Sequence, residues 1–441
     1  MEQTIFDILY PKYKITKPIR LIEFFAGYGS QALALKYLGV PFEHWKICEW
    51  AVKSIQAYKD IHFENESVIL VGLNKEQEVE RLYKQGISSN YNEPMTKEQI
   101  NRLSYQQIYD ITANNLITHN LVNIQNVKGQ DLEIRDTDKY DYILTYSFPC
   151  QDLSLAGKGK GMSDTSTRSG MLWEVERILT ECKELGTLPR ICLMENVPQV
   201  HGTDNLEPWG KWLNRLEELG YKNYFQDLIA TDYGIPQTRN RCFMISILGD
   251  YSYTFPKPEP LKLKLKDMLE ENVDEKYYIE DDLLKHIIKT KVEHPEYTQY
   301  DRYNGEFEQL CRIWKEKAPT LHTKSNEIKI YEYKKQLTET LLNVKDIDKT
   351  QMLDLYNRNV VPDGLCQTVD MGYHNSMRLL DKCRIRKITC KEAFRLMGVK
   401  DEDYEKCAKN QSDSSLYHLA GDSIVVNVLM AIFKQLLESQ V

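Results

Sequence analysis

The chain has 441 residues, 42% of them hydrophobic and 28% charged, which is enough for roughly two to three domains and a sizeable core. No uncharged apolar run of about 18 residues occurs, and no basic segment followed by an apolar one opens the chain, so a cytoplasmic protein is expected, neither secreted nor membrane-spanning. Ten cysteines without a C-x-x-C pair argue against a zinc ribbon, any other metal site and a disulfide scaffold, and a net charge of −8 disfavours phosphate binding over the surface at large.

From Arg20 onward, strand-like runs alternate with helical stretches: RLIEFF, QALALKYLG, FEHWKICEW, AVKSIQAYKDI. After a break the alternation resumes at YDYILTYSF (Tyr140 to Phe148), MLWEVERILTECKEL, RICLMEN (Arg190 to Asn196), WGKWLNRLEELG and CFMISIL. That rhythm predicts parallel βαβ units and a doubly wound α/β sheet over residues 1–255. The break, residues 67–128, is polar and rich in Tyr, Asn and Gln, and is expected to be an insertion packed outside the sheet. Pro256, Pro258 and Pro260 mark a linker into a second, irregular domain, residues 256–414. Within it Arg312, Lys315, Lys317, Lys324, Lys329, Lys334 and Lys335 form a locally basic stretch, despite Glu316, Glu327 and Glu332. Residues 415–441, which contain HLAGDSIVVNVLMAIFKQLLESQ, are expected to form one apolar helix that returns to the first domain's core.

The first strand ends in Phe24-Phe25-Ala26-Gly27-Tyr28-Gly29-Ser30 and runs into a helix. Two glycines allow a tight turn that brings a ligand against the helix N-terminus, where free N–H groups favour a carboxylate or phosphate. The third glycine of the dinucleotide fingerprint is missing, which counts against a nicotinamide-dependent oxidoreductase. About twenty residues later the second strand ends in Glu49-Trp50, an acid able to bind both ribose hydroxyls and an aromatic able to stack on adenine. An adenosine ligand with an amino-acid tail suits this pair.

The strand YDYILTYSF delivers Ser147-Phe148-Pro149-Cys150-Gln151 at its carboxyl end, where active sites of open α/β sheets gather. A polar segment follows with Gly157, Gly159, Gly161 and Gly170, able to hinge as a lid, and with Lys158, Lys160 and Arg168 to meet phosphates. The next strand ends in Glu195-Asn196-Val197-Pro198. Gln237-Thr238-Arg239-Asn240-Arg241 then brings two guanidiniums to the same rim. A thiol adding to an electron-poor pyrimidine needs some thiolate, a proton donor to the ring and stabilisation of charge on the exocyclic oxygen. Cys150, Glu195 and Arg241 or Arg239 are candidates for those three tasks.

In this order, the FAGYGS turn, the EW pair, PCQ, ENV, QTRNR, RKITCKEAFRLMGV (Arg386 to Val399) and AGDSIVVNV (Ala420 to Val428) resemble the DNA cytosine carbon-5 methyltransferases. The resemblance implies a Rossmann-like sheet that binds S-adenosylmethionine and a smaller, irregular target-recognition domain. It implies that Cys150 attacks carbon 6 of a cytosine flipped out of the duplex before carbon 5 is methylated. It makes Glu195 the residue that holds and protonates the base, Arg241 the one that binds its oxygen, and Arg239 a support. Phe25, Ala26, Gly27, Gly29, Glu49, Trp50, Pro149, Leu172, Asp422 and Ser423 are implied to bind the cofactor. Asp131, in GQDL, resembles the family's adenine-contacting acid, with Glu133 its rival. Gln151, Ser154, Lys158, Lys160, Arg168 and Gln237 are expected at the DNA, together with Thr320 and Leu321, which resemble the family's Thr-Leu element; Cys366-Gln367-Thr368-Val369 is a second echo of it. Asp422 stands where the family usually has Asn.

Double-stranded DNA is the expected partner, along with a cognate restriction endonuclease, and the protein is expected to be a monomer. Two further readings compete: a tRNA cytosine-5 methyltransferase, disfavoured by the long basic segment, and a catalytically silent DNA-binding regulator, disfavoured because Cys150, Glu195 and Arg241 occur together. The DNA target sequence does not follow from one chain, because it depends on which side chains enter which groove.

Overall fold

The computed structural model describes residues 11–149, 168–278, 352–354, 359–360, 377–381 and 384–437. A six-stranded sheet runs in the order β2-β1-β3-β4-β6-β5. Its strands are β1 (Ile19–Phe24), β2 (Phe42–Cys48), β3 (Asp141–Tyr146), β4 (Ile191–Asn196), β5 (Tyr221–Ile229) and β6 (Asn240–Leu248). β1 pairs in parallel with β2 and β3, and β3 with β4, whereas β6 is antiparallel to both β4 and β5. Every residue of β1, β3 and β4 is buried, as expected of strands covered by helices on both faces. The strand order reverses between β1 and β3, so a crevice opens beyond their carboxyl ends.

Helix α1 (Ser30–Tyr37) covers one face and α2 (Val52–His62) follows β2. The opposite face is covered by α6 (Leu172–Glu184) and α7 (Leu206–Leu219), whose Leu172, Val175, Leu179, Trp212 and Leu216 close over Tyr146, Cys192 and Met244. Between them in sequence, α3 (Lys75–Gln85), α4 (Lys97–Asn101) and α5 (Tyr105–Ile117) form the insertion. It has a core of its own, in which Val79, Leu82, Ile87, Ile100, Ile108 and Ile111 pack with Val122. The insertion ends earlier than 128, because Ile47 of β2 bridges Asn120 in parallel and its carbonyl accepts from the Leu121 amide at 2.8 Å. A remnant strand at 119–121 therefore extends the sheet beyond β2.

The chain also returns sooner than residue 415. Ile388, Phe394 and Met397, in and around α8 (Cys390–Leu396), are fully buried with Leu33 and Leu35 of α1. Next come α9 (Asp401–Ala408), α10 (Asp413–Asp422) and α11 (Val426–Leu436). The single helix expected at the end is broken at Ser423–Val425, where extended backbone at Ser423 and Val425 presents Ser423 to the first turn of the chain. Residues 413–436 are long and apolar enough to cross a membrane, but 72% of the 18-residue apolar window within them is buried inside the protein. Short antiparallel strands β7 (Met352–Asp354), β8 (Asn359–Val360), β9 (Met377–Asp381) and β10 (Arg384–Arg386) make a second sheet in the order β10-β9-β7-β8.

The anchor of the return is an ion pair. Arg386 Nη1 and Nη2 each donate to Glu392 at 2.8 Å, and both side chains are fully buried. Glu392 also accepts from the backbone N–H groups of Thr389 and Glu270. Removing one partner of such a pair leaves a buried charge uncompensated, so Glu392→Ala is expected to cost about 3–5 kcal/mol of stability. Urea unfolding checks this; a change within about 1 kcal/mol, ordinary for a surface substitution, would contradict it.

Candidate active site

The turn after β1 is built for close approach of a ligand. Phe25, Gly27 and Gly29 all have positive φ, at 56°, 56° and 82°. A Cβ on Gly29 would lie 2.4 Å from His62 Nε2, so only glycine fits there. A Cβ on Gly27 would meet nothing within 4 Å, so space lies open above that residue. Beneath the turn, the buried Glu23 carboxylate accepts from the Tyr58 hydroxyl at 2.5 Å and the Ala32 amide at 3.3 Å. Ala26 is buried as well.

Glu49, just past the end of β2, accepts from Gly27 N at 3.0 Å and Ala51 N at 2.8 Å. Burial pushes its carboxyl up to about 7, against the pull of the Ala51, Gly27 and Trp50 amides. Trp50 is half-buried against the insertion's core. On the other wall the Tyr28 hydroxyl donates to Ser423 Oγ at 2.7 Å, and Arg239 Nη2 donates to the carbonyls of Gly421 at 3.1 Å and Ser423 at 2.8 Å. Asp422 between them keeps half of its side chain exposed. Its carboxyl is raised by the protein packed on its inner side, with Arg239 pulling it down and Glu49 and Glu195 pushing it further up. The donor set fits a cofactor bearing ribose hydroxyls and positive charge, with two acids facing an opening beside the glycine turn.

Both carboxyls are raised above the usual carboxylate range, and a cationic ligand binds the ionised form. Affinity for S-adenosylmethionine is therefore expected to rise as pH climbs through about 7 and to level off once both are ionised, and Asp422→Asn should flatten the rise. Calorimetric titration across that range reads it; an affinity that falls with pH would contradict the assignment.

At the end of β4, Glu195 is buried and its Oε1 lies 3.2 Å from Arg241 Nε on β6. Burial raises its pKa, while Arg241 and then Arg239 hold it down. Asn196 next to it donates from Nδ2 to the Phe148 carbonyl at 3.0 Å and accepts from Val197 N at 2.8 Å. This amide ties the end of β4 to the turn that leads through Pro149 into Cys150. Sequence reasoning passed over Asn196, although a buried amide beside two strand ends was legible in ENV.

Cys150, Gln151, Ser154, Lys158, Lys160, Thr320 and Leu321 lie outside the described residues, as does the Cys366–Val369 echo. Arg168 opens a short helix, Arg168–Met171, before α6.

Three expectations need correction. Asp131 is not at the crevice: its carboxylate caps the turn at Lys128 N (2.8 Å), and neighbouring Gly129 N donates to Glu181 near the far end of α6. Glu133 pairs with Lys46 at 3.1 Å on the outside of β2. Next to Glu49 is Asn120, whose side-chain amide accepts from the Glu49 N–H and donates to its carbonyl. Gln237 is fully buried and donates to the Leu396 carbonyl at 2.7 Å, so it joins α8 to the core and does not face DNA. Leu172 is fully enclosed in the core and presents no side-chain surface to a ligand.

Comparisons with known proteins identify the family. The family described as C-5 cytosine-specific DNA methylase matches residues 84–438. The type II methyltransferase M2.ScrFI of Lactococcus lactis subsp. cremoris is 32% identical over 96% of this chain and 100% of its own length. The orphan methyltransferase M.SssI of Spiroplasma monobiae is 29% identical over 96% of this chain and 98% of its own. Among solved structures, the S. pombe Dnmt2 methyltransferase superposes with a TM-score of 0.54 at 16% identity, covering 95% of this chain and 98% of that one.

Proposed function

We propose, from the fact that this chain belongs to the C-5 cytosine-specific DNA methylase family, that its chemistry runs through Cys150, Glu195 and Arg241. The chain is a DNA (cytosine-5-)-methyltransferase, of the kind found in restriction-modification systems or as orphan enzymes. Double-stranded DNA is its substrate, and the family is S-adenosylmethionine-dependent. The observation that carries the residue assignment is the buried Glu195–Arg241 pair beside the Asn196 tether to the turn before Cys150.

Bound in the crevice, S-adenosylmethionine supplies an electrophilic methyl group on its sulfonium. Glu49, the Gly27–Gly29 turn, Asp422 and Trp50 would hold it, with Ser423 and Arg239 fixing the wall that carries Asp422. The remaining steps belong to the chain. Cys150, as thiolate, forms a bond to carbon 6 of the flipped cytosine. Glu195, whose pKa burial raises against the pull of Arg241 and Arg239, hydrogen-bonds ring nitrogen 3 and shares a proton as charge builds on the ring. Arg241 stabilises that charge at the exocyclic oxygen. Carbon 5 thereby becomes nucleophilic; once it is methylated, water takes its proton, the C–H electrons restore the 5,6 double bond, and the C6–S bond breaks to return Cys150 as thiolate. The flipped base enters this site because chemistry on carbon 5 and carbon 6 needs both faces of the ring.

The segment between the proline cluster and Arg386 serves as the target-recognition domain, and its basic stretch contacts phosphates. The enzyme acts as a cytoplasmic monomer paired with a cognate restriction endonuclease; the type II name of its relative from Lactococcus supports the endonuclease pairing alone. The test is transfer of labelled methyl to unmodified duplex DNA and, in parallel, to bulk tRNA, with nucleoside analysis and bisulfite sequencing. Label as 5-methylcytosine at one recurring short DNA motif is expected; label in tRNA alone would overturn the DNA assignment.

A further inference from the structure

The helical insertion reaches the cofactor crevice through one loop, residues 87–95. Ser88 N donates to the Trp50 carbonyl at 2.7 Å and its own carbonyl accepts from Val52 N at 2.9 Å, so the loop is stitched to the two residues either side of Ala51, directly after Glu49. The Asn90 side chain accepts from the amides of Asn92 and Glu93, and Ser88 Oγ donates to the Glu93 carbonyl, so the tip is a tight, internally bonded turn. At that tip Tyr91 takes a left-handed conformation, φ 63°, which non-glycine residues adopt when their surroundings impose it.

The Tyr91 ring projects across to α10. Its centroid lies 3.7 Å from that of His418 at an interplanar angle of 66°, an edge-on contact. His418 is one helical turn before Asp422, and its Nε2 stands 3.6 Å from the Asp422 carboxylate. Burial pushes His418 down to about 4, so the ring is neutral and this contact is packing, not an ion pair. Ser54 of α2 and Ser415 of α10 flank the Tyr91 hydroxyl, and both Glu49 and Asp422 act on it electrostatically. One aromatic ring thus stands behind the two acids on opposite walls of the crevice.

We propose that the insertion forms the back wall of the cofactor crevice, with Tyr91 the positioning residue that fixes the Asp422 end of α10 relative to Glu49 through His418. This rests on the reading of Glu49 and Asp422 as cofactor residues. A ring at this place excludes water from behind the acids and thereby strengthens their attraction for a cationic ligand. DNA contact by the insertion is not needed for this role.

The test compares the full-length protein with Tyr91→Ala and Tyr91→Phe, by calorimetric binding of S-adenosylhomocysteine, steady-state kinetics and thermal unfolding. Tyr91→Ala is expected to raise the dissociation constant and the KM for S-adenosylmethionine about fivefold, on the scale of an edge-to-face aromatic pair. The KM for DNA and kcat should stay within about twofold, and Tyr91→Phe, which keeps the ring, should restore cofactor affinity. In a double-mutant cycle with His418→Ala the second substitution should add little to the first. Unchanged binding by Tyr91→Ala, equal losses for DNA and cofactor, or a Phe variant as weak as Ala would each overturn the proposal. Failure of the unaltered protein to bind S-adenosylhomocysteine would overturn the crevice assignment itself, and with it this one.

Discussion

Cys150→Ser should reduce methyl transfer on the order of 10⁴-fold or more, the scale on which loss of a covalent nucleophile is felt. A free cysteine is a few per cent thiolate at neutral pH, whereas a serine hydroxyl is scarcely ionised there, so no comparable nucleophile replaces it. Without attack at carbon 6, carbon 5 stays a poor nucleophile however well the cofactor is held. The variant should still bind DNA and S-adenosylhomocysteine, since neither binding event needs the thiol. A complementary trap uses DNA containing 5-fluorocytosine at the target position. Fluorine cannot leave as a cation, so the adduct persists and survives denaturation in the unaltered enzyme but not in Cys150→Ser. Turnover within tenfold of normal by the serine variant would remove covalent catalysis from the mechanism.

Glu195→Gln should lower kcat by about 10²- to 10⁴-fold, the usual contribution of a placed general acid. The amide keeps the shape and one hydrogen bond of the carboxylic acid but transfers no proton. Burial raises the Glu195 pKa, and Arg241 at 3.2 Å limits the rise, so the proton remains available further up the pH scale than on an exposed carboxylate. The sign follows: activity carried by the protonated acid declines as pH rises through that raised pKa, and the glutamine variant lacks this decline. A pH profile of kcat for both enzymes, on DNA of the methylated motif, distinguishes them. An identical alkaline limb in the variant would assign the proton to another group.

Much of this site was legible in the sequence because its residues sit where strands end. Gly27, Glu49, Pro149 and Glu195 each follow a short apolar run, and parallel strands bring such carboxyl ends to one edge; Arg241 reaches the same edge from the amino end of antiparallel β6. The register of β4 with β6 then sets Glu195 beside Arg241, which alternation along the strand suggested. What failed was what depends on packing. The strand after the insertion is reduced to the bridge at Asn120, too short to carry a period, so the acid of GQDL drew the adenine assignment although the residue bonded to Glu49 is Asn120. Gln237 and Arg239 share one polar run, yet one is locked to α8 and the other to the Gly421 and Ser423 carbonyls. Polar character alone does not distinguish a buried tether from a surface contact. The break at Ser423–Val425 was hidden because its residues are apolar enough to continue a helix, and the hydrogen bond that rewards breaking it comes from Tyr28.

That Tyr28–Ser423 bond joins residues 395 positions apart. A nascent chain therefore carries the glycine turn as half a crevice until the residues that face it, 395 positions later, emerge, and pairing them closes a loop of that length.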